Sequence, residues 1–191
     1  WVQYQDSTRL FEIHKRSELI MDYYVDFEFT RFEGEIISVG IVSDTGKELY
    51  LALSDEVLEE ERKARLIDPW VVKNVIPLID SEGAEAERYN RRKDIKEVWP
   101  LRIYQYLLDT QNHVRMPATF ITDWWEDVKL MSGLMITGPG TCINVPHGTF
   151  VVTRADTYPT TLEGAVQHNA LWDARVLKHE LSGYPKDGER Y

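Results

Sequence analysis

Cysteine is almost absent from this sequence, and histidine is scarce. The only cysteine among the 191 residues is Cys142, which excludes an internal disulfide and any zinc site built mainly from cysteines. The five histidines include no pair with the H-x-x-x-H spacing of a zinc hydrolase. A low cysteine content suits a reducing compartment, so we expect a cytoplasmic protein.

Long apolar runs are also lacking. No stretch approaches the roughly 18 apolar residues of a membrane-spanning helix, and the first residues show no apolar signal core with a small-residue cleavage site. We therefore expect no membrane partner. A content of 43% hydrophobic and 12% aromatic residues is typical of a globular chain, and the length suits one domain.

Basic residues are outnumbered by acidic ones. The chain has 22 Lys and Arg against 32 Asp and Glu, which gives a net charge of −10. Non-specific binding to nucleic acid depends on Lys and Arg that face phosphates, so this balance argues against a general basic nucleic-acid surface. It does not exclude a local site at which bound cations supply the positive charge.

Hydrophobic periodicity predicts an α/β domain over residues 21–182. Residues 1–20 show no clear period and are interpreted as a leader or extra segment outside the core, and residues 183–191 as a tail. Asp44-Thr-Gly46 predicts a hairpin turn, so the sheet should open with three antiparallel strands. The predicted strands are 21–30, 35–43, 47–53, 118–122 and 149–153. The predicted helices are 54–66, 68–78, 91–109, the segment from the end of the fourth strand to about 134, and the end of 162–181. Pro100 should kink or break the helix over 91–109, and residues 81–87 are predicted to form a polar linker.

Two acids stand in the middle of the first predicted strand. Asp26 and Glu28 lie in the run Met21-Asp-Tyr-Tyr-Val-Asp-Phe-Glu-Phe-Thr30, which is rich in aromatic residues. Side chains two apart on a strand point to the same face, so both carboxylates project together. Like charges in a core are costly, and a divalent cation that prefers oxygen ligands, Mg²⁺ or Mn²⁺, is the simplest compensation. The alternative is a solvated pair at a strand end.

Two further segments carry acids or histidine. Ala118-Thr-Phe-Ile-Thr-Asp123-Trp-Trp-Glu-Asp127 joins a predicted strand to a helix, and His168-Asn-Ala-Leu-Trp-Asp173 lies at the last helix. On one continuous helix, His168 and Asp173 would lie about 140° apart. A site that uses both therefore requires His168 on the loop or at the helix start, with Asp173 inside the helix.

This order of motifs resembles the DEDDh branch of the DnaQ-like 3′-to-5′ exonucleases, which includes ribonuclease T and oligoribonuclease. The segments Glu35-Ile-Ile-Ser-Val-Gly-Ile-Val42, Gly46-Lys-Glu-Leu-Tyr-Leu-Ala52 and Asp68-Pro-Trp-Val-Val-Lys-Asn-Val-Ile-Pro77 look most like the bacterial ribonuclease AS type. The resemblance implies a ribonuclease H-like α/β fold, in which a mixed sheet with three antiparallel strands first is flanked by helices.

The resemblance also implies a site and a reaction. Two Mg²⁺ or Mn²⁺ ions would be held by Asp26, Glu28, Asp127 and Asp173, with Asp26 bridging both ions. His168 would accept the proton of the attacking water, for which its unperturbed pKa of about 6.5 is suitable. The reaction would be hydrolysis of single-stranded RNA from its 3′ end to nucleoside 5′-monophosphates, with two ions activating water and neutralising charge.

The identity of the middle acid is left open. Many members of the resembled family have Asn, three residues and then Asp; here Asp123 takes the Asn place and Asp127 the Asp place. We favour Asp127 because it lies on the helix side of the junction between strand and helix. Asp123 is the alternative ligand, and its other interpretation is an N-cap of the following helix.

Substrate contacts are expected directly after the first strand. Phe29, Thr30 and Phe32 follow the acids, where the resembled family contacts the terminal nucleotide, and aromatic stacking contributes roughly 1–3 kcal/mol per base. Phe27 and Trp172 are expected in the core instead. The expected partner is the 3′ end of single-stranded RNA or DNA, and a homodimer is consistent with the resemblance. The alternatives are a DNA exonuclease of the same fold and a non-catalytic binding module.

Overall fold

The computed structural model describes residues 20–114, 116–143, 148–153 and 158–182. Residues 1–19 of the predicted leader and the predicted tail, 183–191, lie outside the described residues. Within the described ranges the chain forms a six-stranded mixed sheet flanked by helices, so the predicted α/β class is confirmed at that level. None of the helices in these ranges has the length and apolar character that crossing a membrane requires.

The sheet opens with three antiparallel strands, as predicted. Strand β1 pairs with β2 and β2 with β3, both antiparallel, while β5 and then β8 add in parallel on the other side of β1. The order across the sheet is β4-β3-β2-β1-β5-β8, which puts β1 and β2 in the middle. The strands are β1 (Met21–Phe29), β2 (Ile36–Ser43), β3 (Glu48–Leu53), β4 (Glu87–Tyr89), β5 (Ala118–Thr122) and β8 (Gly148–Val152), and β6 (Ile136–Gly138) and β7 (Thr141–Cys142) form a separate pair.

Burial explains why β1 and β2 are central. All eight residues of β2 are buried, which is typical of a strand covered on both faces. On β1, Tyr23, Val25 and Phe27 are buried side chains of one face, and Tyr23 stacks on Phe120 of β5. Phe27 therefore belongs to the core, as predicted. Because side chains alternate along a strand, the two acids of β1 occupy the face opposite Phe27.

Two predicted helices are interrupted, in both cases near a proline. The helix predicted over 68–78 is a helix of six residues followed by a 3-10 turn that contains Pro77, because a residue before proline disfavours the α conformation. The helix predicted over 91–109 is two helices, and Pro100 lies in the first turn of the second, where proline is tolerated. The helices are α1 (Asp55–Lys63), α2 (Pro69–Asn74), α3 (Asp94–Glu97), α4 (Trp99–Thr110), α5 (Trp125–Met135) and α6 (Ala170–Ser182).

Strand β4 begins at the end of the segment predicted as a linker, so the prediction was wrong for Glu87. This three-residue strand pairs in parallel with β3 at the sheet edge. Arg88 holds it there by donating to the carbonyl oxygen of Leu53 and by ion pairs with Asp55 (2.9 Å) and Asp80 (2.7 Å). Polar contacts rather than an apolar pattern fix this edge, so periodicity could not reveal it.

Helix α6 lies directly on β1 and β2 because Gly40 has no side chain. A Cβ atom at Gly40 would lie 2.3 Å from the carbonyl oxygen of Ala170 and 2.5 Å from the Cα of Leu171. Gly40 is the ladder partner of Asp26, and directly opposite residues share one face of a sheet. The close approach therefore brings the beginning of α6 over the face of β1 that carries the acids.

Substitution of Gly40 tests this arrangement. We expect Gly40→Ala to reduce the free energy of unfolding by about 1–3 kcal/mol, because the methyl group would meet backbone atoms that cannot rotate away. Gly133→Ala in α5 is the matched control, since apart from its chain neighbours and the backbone of its own helix no described atom lies within 4 Å of its Cβ position. Urea unfolding of both variants measures the difference, and wild-type stability for Gly40→Ala would contradict the close approach.

Candidate active site

The first cluster forms where β1 meets the end of β5. These strands are parallel, with Tyr24 opposite Ile121, so Asp123, just after β5, comes beside Asp26. Asp127 follows on α5. Carboxylate oxygens of Asp26, Asp123 and Asp127 all lie within 4.8 Å of one another, close enough to hold one metal ion. We call these three residues the Asp26 group.

Both candidates for the middle acid therefore reach the same cluster. Asp127 is 2% exposed, and its Oδ2 accepts a hydrogen bond of 2.6 Å from the Thr122 hydroxyl. Helix α5 has Trp124 as its N-cap residue, without a side-chain cap, so Asp123 does not have the N-cap role considered for it. From the sequence, Asp123 and Asp127 were alternative candidates for one position, whereas in the structure both lie beside Asp26.

The second cluster joins β1 to the beginning of α6. One ligand atom from each of Glu28, His168 and Asp173 lies within 4.8 Å of the others. His168 precedes α6 in a left-handed conformation, with φ of 67°, and its backbone N–H donates to Asp173 Oδ2 at 2.9 Å. His168 is thus on the loop and Asp173 is inside the helix, which is how a spacing of five residues can serve one site. We call these three residues the Glu28 group.

Asn169 fixes the start of α6 and with it the Glu28 group. Its side chain is 1% exposed and joins the helix to the end of the 3-10 turn. The side-chain Nδ2 donates and Oδ1 accepts, so both ends of the amide are paired. The five hydrogen bonds reach the hydroxyl of Tyr50 (3.2 Å), the carbonyl oxygens of Leu78 (2.7 Å) and Ile79 (3.0 Å), and the backbone N–H groups of Leu171 (3.1 Å) and Trp172 (3.0 Å).

Burial and mutual repulsion raise the pKa values of these acids. Burial is the largest cause in each case: it raises the pKa of Glu28 to about 8, that of Asp127 to about 8 and that of Asp173 to about 7. The pKa of Asp26 is raised well above its usual range, first by burial and then by the carboxylates of Asp127, Asp173, Glu28 and Asp123. A single electrostatic site therefore contains both groups.

The donor set fits divalent cations. Asp173 Oδ1 is buried, and among the described residues it has no hydrogen-bond partner. Carboxylate oxygens are the ligands that Mg²⁺ and Mn²⁺ prefer, and a cation would relieve both the unpaired oxygen and the repulsion. The acidic clusters could therefore hold metal ions, with the carboxylates of the Asp26 group and of the Glu28 group as ligands.

His168 lies in a setting that keeps its imidazole neutral. Burial lowers the pKa of His168 below its ordinary value. The ring packs edge to face with Trp70, with 4.9 Å between ring centroids. A neutral imidazole at pH 7 can either accept a proton or coordinate a metal ion.

The residues expected to contact substrate differ in exposure. Phe32 is 71% exposed, whereas Thr30 is 3% exposed and its hydroxyl accepts from the backbone N–H of Glu35 at 3.0 Å. Phe29 is half-buried at the end of β1. Trp172, expected in the core, is half-buried. The guanidinium of Arg175 lies over its ring, with Cζ 4.3 Å from the ring centroid.

Sequence reasoning missed Trp70 and Asn169. Trp70 was part of the segment Asp68-Pro-Trp, which predicted a helix start and gave no sign of contact with His168. Asn169 sits between the two residues of the last motif, and an N-cap preference for Asn is the signal that could have identified it.

No protein-family model matches the chain, and no curated protein matches it in sequence. Functional interpretation therefore depends on the geometry of the site together with the motif resemblance.

The raised pKa values predict how pH affects the protein when divalent cations are removed by EDTA. Folded Glu28, Asp127 and Asp173 retain protons up to about pH 8, 8 and 7, whereas unfolded carboxyl groups release theirs near pH 4. Between these values the folded state binds more protons, so its stability is greatest in acid and falls as the pH rises. We expect the melting temperature to fall by roughly 4 °C or more from pH 5 to pH 8.

Thermal unfolding in EDTA across this pH range measures the effect. Mn²⁺ should restore the melting temperature at pH 8, because cations replace the lost protons. Glu28→Gln should make the melting temperature depend less on pH, whereas Glu60→Gln, on the exposed side of α1, should leave that dependence unchanged. A profile that rises steadily from pH 5 to pH 8 would contradict the burial of these acids.

Proposed function

We propose that this protein is a metal-dependent 3′-to-5′ exonuclease that hydrolyses single-stranded RNA to nucleoside 5′-monophosphates. The observation that carries the proposal is the presence of two ligand groups on one face of β1, centred on Asp26 and Glu28. Positions two apart on a strand are separated by roughly 7 Å. The two groups therefore adjoin, as two cations acting on one phosphate would require.

The residues of the site have different roles in the proposed reaction. Bound divalent cations would supply charge neutralisation and activation of water. The carboxylates of both groups would hold these ions. His168, whose pKa is lowered by burial, would accept a proton from the attacking water at neutral pH. Asn169 and the bond from the His168 N–H to Asp173 would keep this histidine at the beginning of α6.

Topology supports the same proposal. We infer a ribonuclease H-like fold from the three antiparallel strands, the parallel pairing of β5 with β1, and the position of α6 on β1 and β2. The acids come from the centre of β1, the end of β5, the first turn of α5 and the first turn of α6. The resemblance to the ribonuclease AS type favours RNA over DNA.

Exposed aromatic side chains support a single-stranded substrate. Trp70 is 52% exposed beside His168, and Phe32 is 71% exposed after β1. Trp124 and Trp125, which follow Asp123, are 54% and 74% exposed. Unpaired bases stack on such rings, whereas a chain with net charge −10 offers little to the backbone of a long duplex.

Substitution of Asp26 tests the metal requirement. Asp26→Asn removes one carboxylate from the Asp26 group with little change of size, so kcat should fall by about a hundred-fold or more. Titration calorimetry with Mn²⁺ should show weaker binding. Glu60→Gln is the matched control, because it removes a carboxylate that is exposed on α1. Full turnover of the wild type in excess EDTA would refute a metal-dependent reaction.

The histidine assignment predicts a defined pH profile. His168→Ala should lower kcat by about a hundred-fold or more, the usual range for a general base, with a smaller effect on RNA affinity. Because the pKa of His168 is lowered, the wild-type rate should rise with pH below 6.5 and level off by neutrality. His113→Ala, at an exposed turn, is the control. An unchanged rate and profile in His168→Ala would exclude His168 as the base.

End-labelled substrates test direction and substrate class. Linear RNA should shorten from its free 3′ end with release of 5′-monophosphates, and a 3′-phosphate should block the reaction. Chromatography of products from linear RNA, circular RNA and single-stranded DNA compares these cases. Cleavage of circular RNA at the same rate would refute the exonuclease assignment, and faster cleavage of DNA would favour the DNA exonuclease of the same fold.

A further inference from the structure

The imidazole of His168 has no hydrogen bond that fixes its orientation. Within the ranges that the structure describes, neither ring nitrogen has a hydrogen-bond partner, and one of them lies within 4.8 Å of carboxylate oxygens of Glu28 and Asp173. A histidine that acts through one nitrogen commonly has the other bonded to a carbonyl or carboxylate oxygen, which sets the direction of the ring. The orientation of this ring must therefore come from another contact.

Trp70 supplies that contact. Its ring packs against the imidazole of His168 with 4.9 Å between the ring centroids and 81° between the ring planes. Aromatic rings favour this edge-to-face arrangement, because the positive edge of one ring meets the negative face of the other. The contact is directional, so it restricts the plane of the imidazole without a hydrogen bond to either nitrogen.

Burial in the core does not account for the position of Trp70. The side chain is 52% exposed, whereas Trp99 in the core is 0% exposed. In helix α2 the buried side chain is that of Val71. Exposure leaves much of the apolar ring in water, which gives up part of the free energy that its burial would contribute. The contact with His168 explains the position of the ring better than core packing does.

The backbone of Trp70 is held at both of its polar groups. Asp68 Oδ1 accepts from the Trp70 N–H at 2.7 Å, and Asn74 Nδ2 donates to the Trp70 carbonyl oxygen at 2.8 Å. The N–H of Asp68 donates in turn to the carbonyl oxygen of Thr30, just after β1, at 2.8 Å. The strand that carries the first two acids therefore also places, through Asp68, the ring that packs on His168.

We propose that Trp70 is a positioning residue, whose ring holds the imidazole of His168 in the orientation in which it accepts a proton from the attacking water. The inference rests on the proposed function, in which His168 is the base. Proton transfer requires a defined direction, and a misplacement of about 1 Å can cost about a hundred-fold in rate. Trp70 takes no proton itself, so loss of its ring acts on turnover through His168.

The variant Trp70→Leu removes the ring and keeps an apolar side chain. We expect kcat on single-stranded RNA to fall by about ten-fold or more, while KM changes by less than about three-fold. The affinity for Mn²⁺, measured by calorimetry, should stay within about two-fold of the wild type. Trp70→Phe retains an aromatic ring and should keep kcat within about three-fold. Leu101→Ala is the control, because it removes a large apolar side chain that is 63% exposed on α4, and it should behave as the wild type.

A double-mutant cycle separates this role from the stacking of an RNA base on Trp70. In the His168→Ala background, addition of Trp70→Leu should change kcat by less than about two-fold, because the group that Trp70 orients is already absent. An equal fall of kcat in both backgrounds would overturn the proposal, and so would a variant in which KM alone rises. Weaker Mn²⁺ binding by Trp70→Leu would also overturn it, because Trp70 would then support the acidic clusters.

Proton–carbon NMR of the histidine rings tests the contact without RNA. The His168 signal is assigned by its loss in His168→Ala. In Trp70→Leu this signal should shift and its order parameter should fall, whereas the signals of the other histidines should stay in place. An unchanged His168 signal would refute the positioning role. If the wild type cleaves no RNA but the His168 ring loses order in Trp70→Leu, the proposed function fails and the positioning contact stands.

Discussion

Repulsion among the carboxylates around β1 is the constraint on which the rest of the structure depends. Folding partly buries Asp26 and surrounds it with Asp127, Asp173, Glu28 and Asp123, all of which raise its pKa further. Negatively charged carboxylates that lie close together in a partly buried site destabilise the folded state unless they bind protons or cations. Stability, the proposed metal binding and the proposed chemistry therefore depend on one cluster.

Two residues without charge make this cluster possible. Gly40 lets the backbone of α6 reach the sheet, since any side chain there would collide with Ala170. Asn169 then fixes the rotation of the helix by bonds to Leu78 and Leu171. The acids of β1 and α6 meet because packing stabilises the approach more than repulsion opposes it. The apolar core beneath β1 supplies that packing.

The fold was predictable where sequence patterns are local. Strands β1 to β3 and the turn at Asp44-Thr-Gly46 follow from alternation and turn chemistry, and the structure contains them. Prediction was weaker where polar contacts decide. Edge strand β4 depends on ion pairs of Arg88 with residues from other elements, and no pattern within three residues can reveal that. The helix boundaries near Pro77 and Pro100 differ from the predicted ones, because proline restricts the backbone where the spacing of apolar residues predicted a continuous helix.

The sequence by itself determined that Asp26 and Glu28 share a face, and that a site using both His168 and Asp173 needs His168 on the loop or at the helix start. Both conclusions follow from the repeat of a single element. Only the tertiary structure decided that Asp123 and Asp127 both join Asp26 and that Trp70 packs on His168. The reason is physical. The direction of a side chain is set by its own strand or helix, whereas contacts between distant segments depend on sheet register and helix packing, which no single segment encodes.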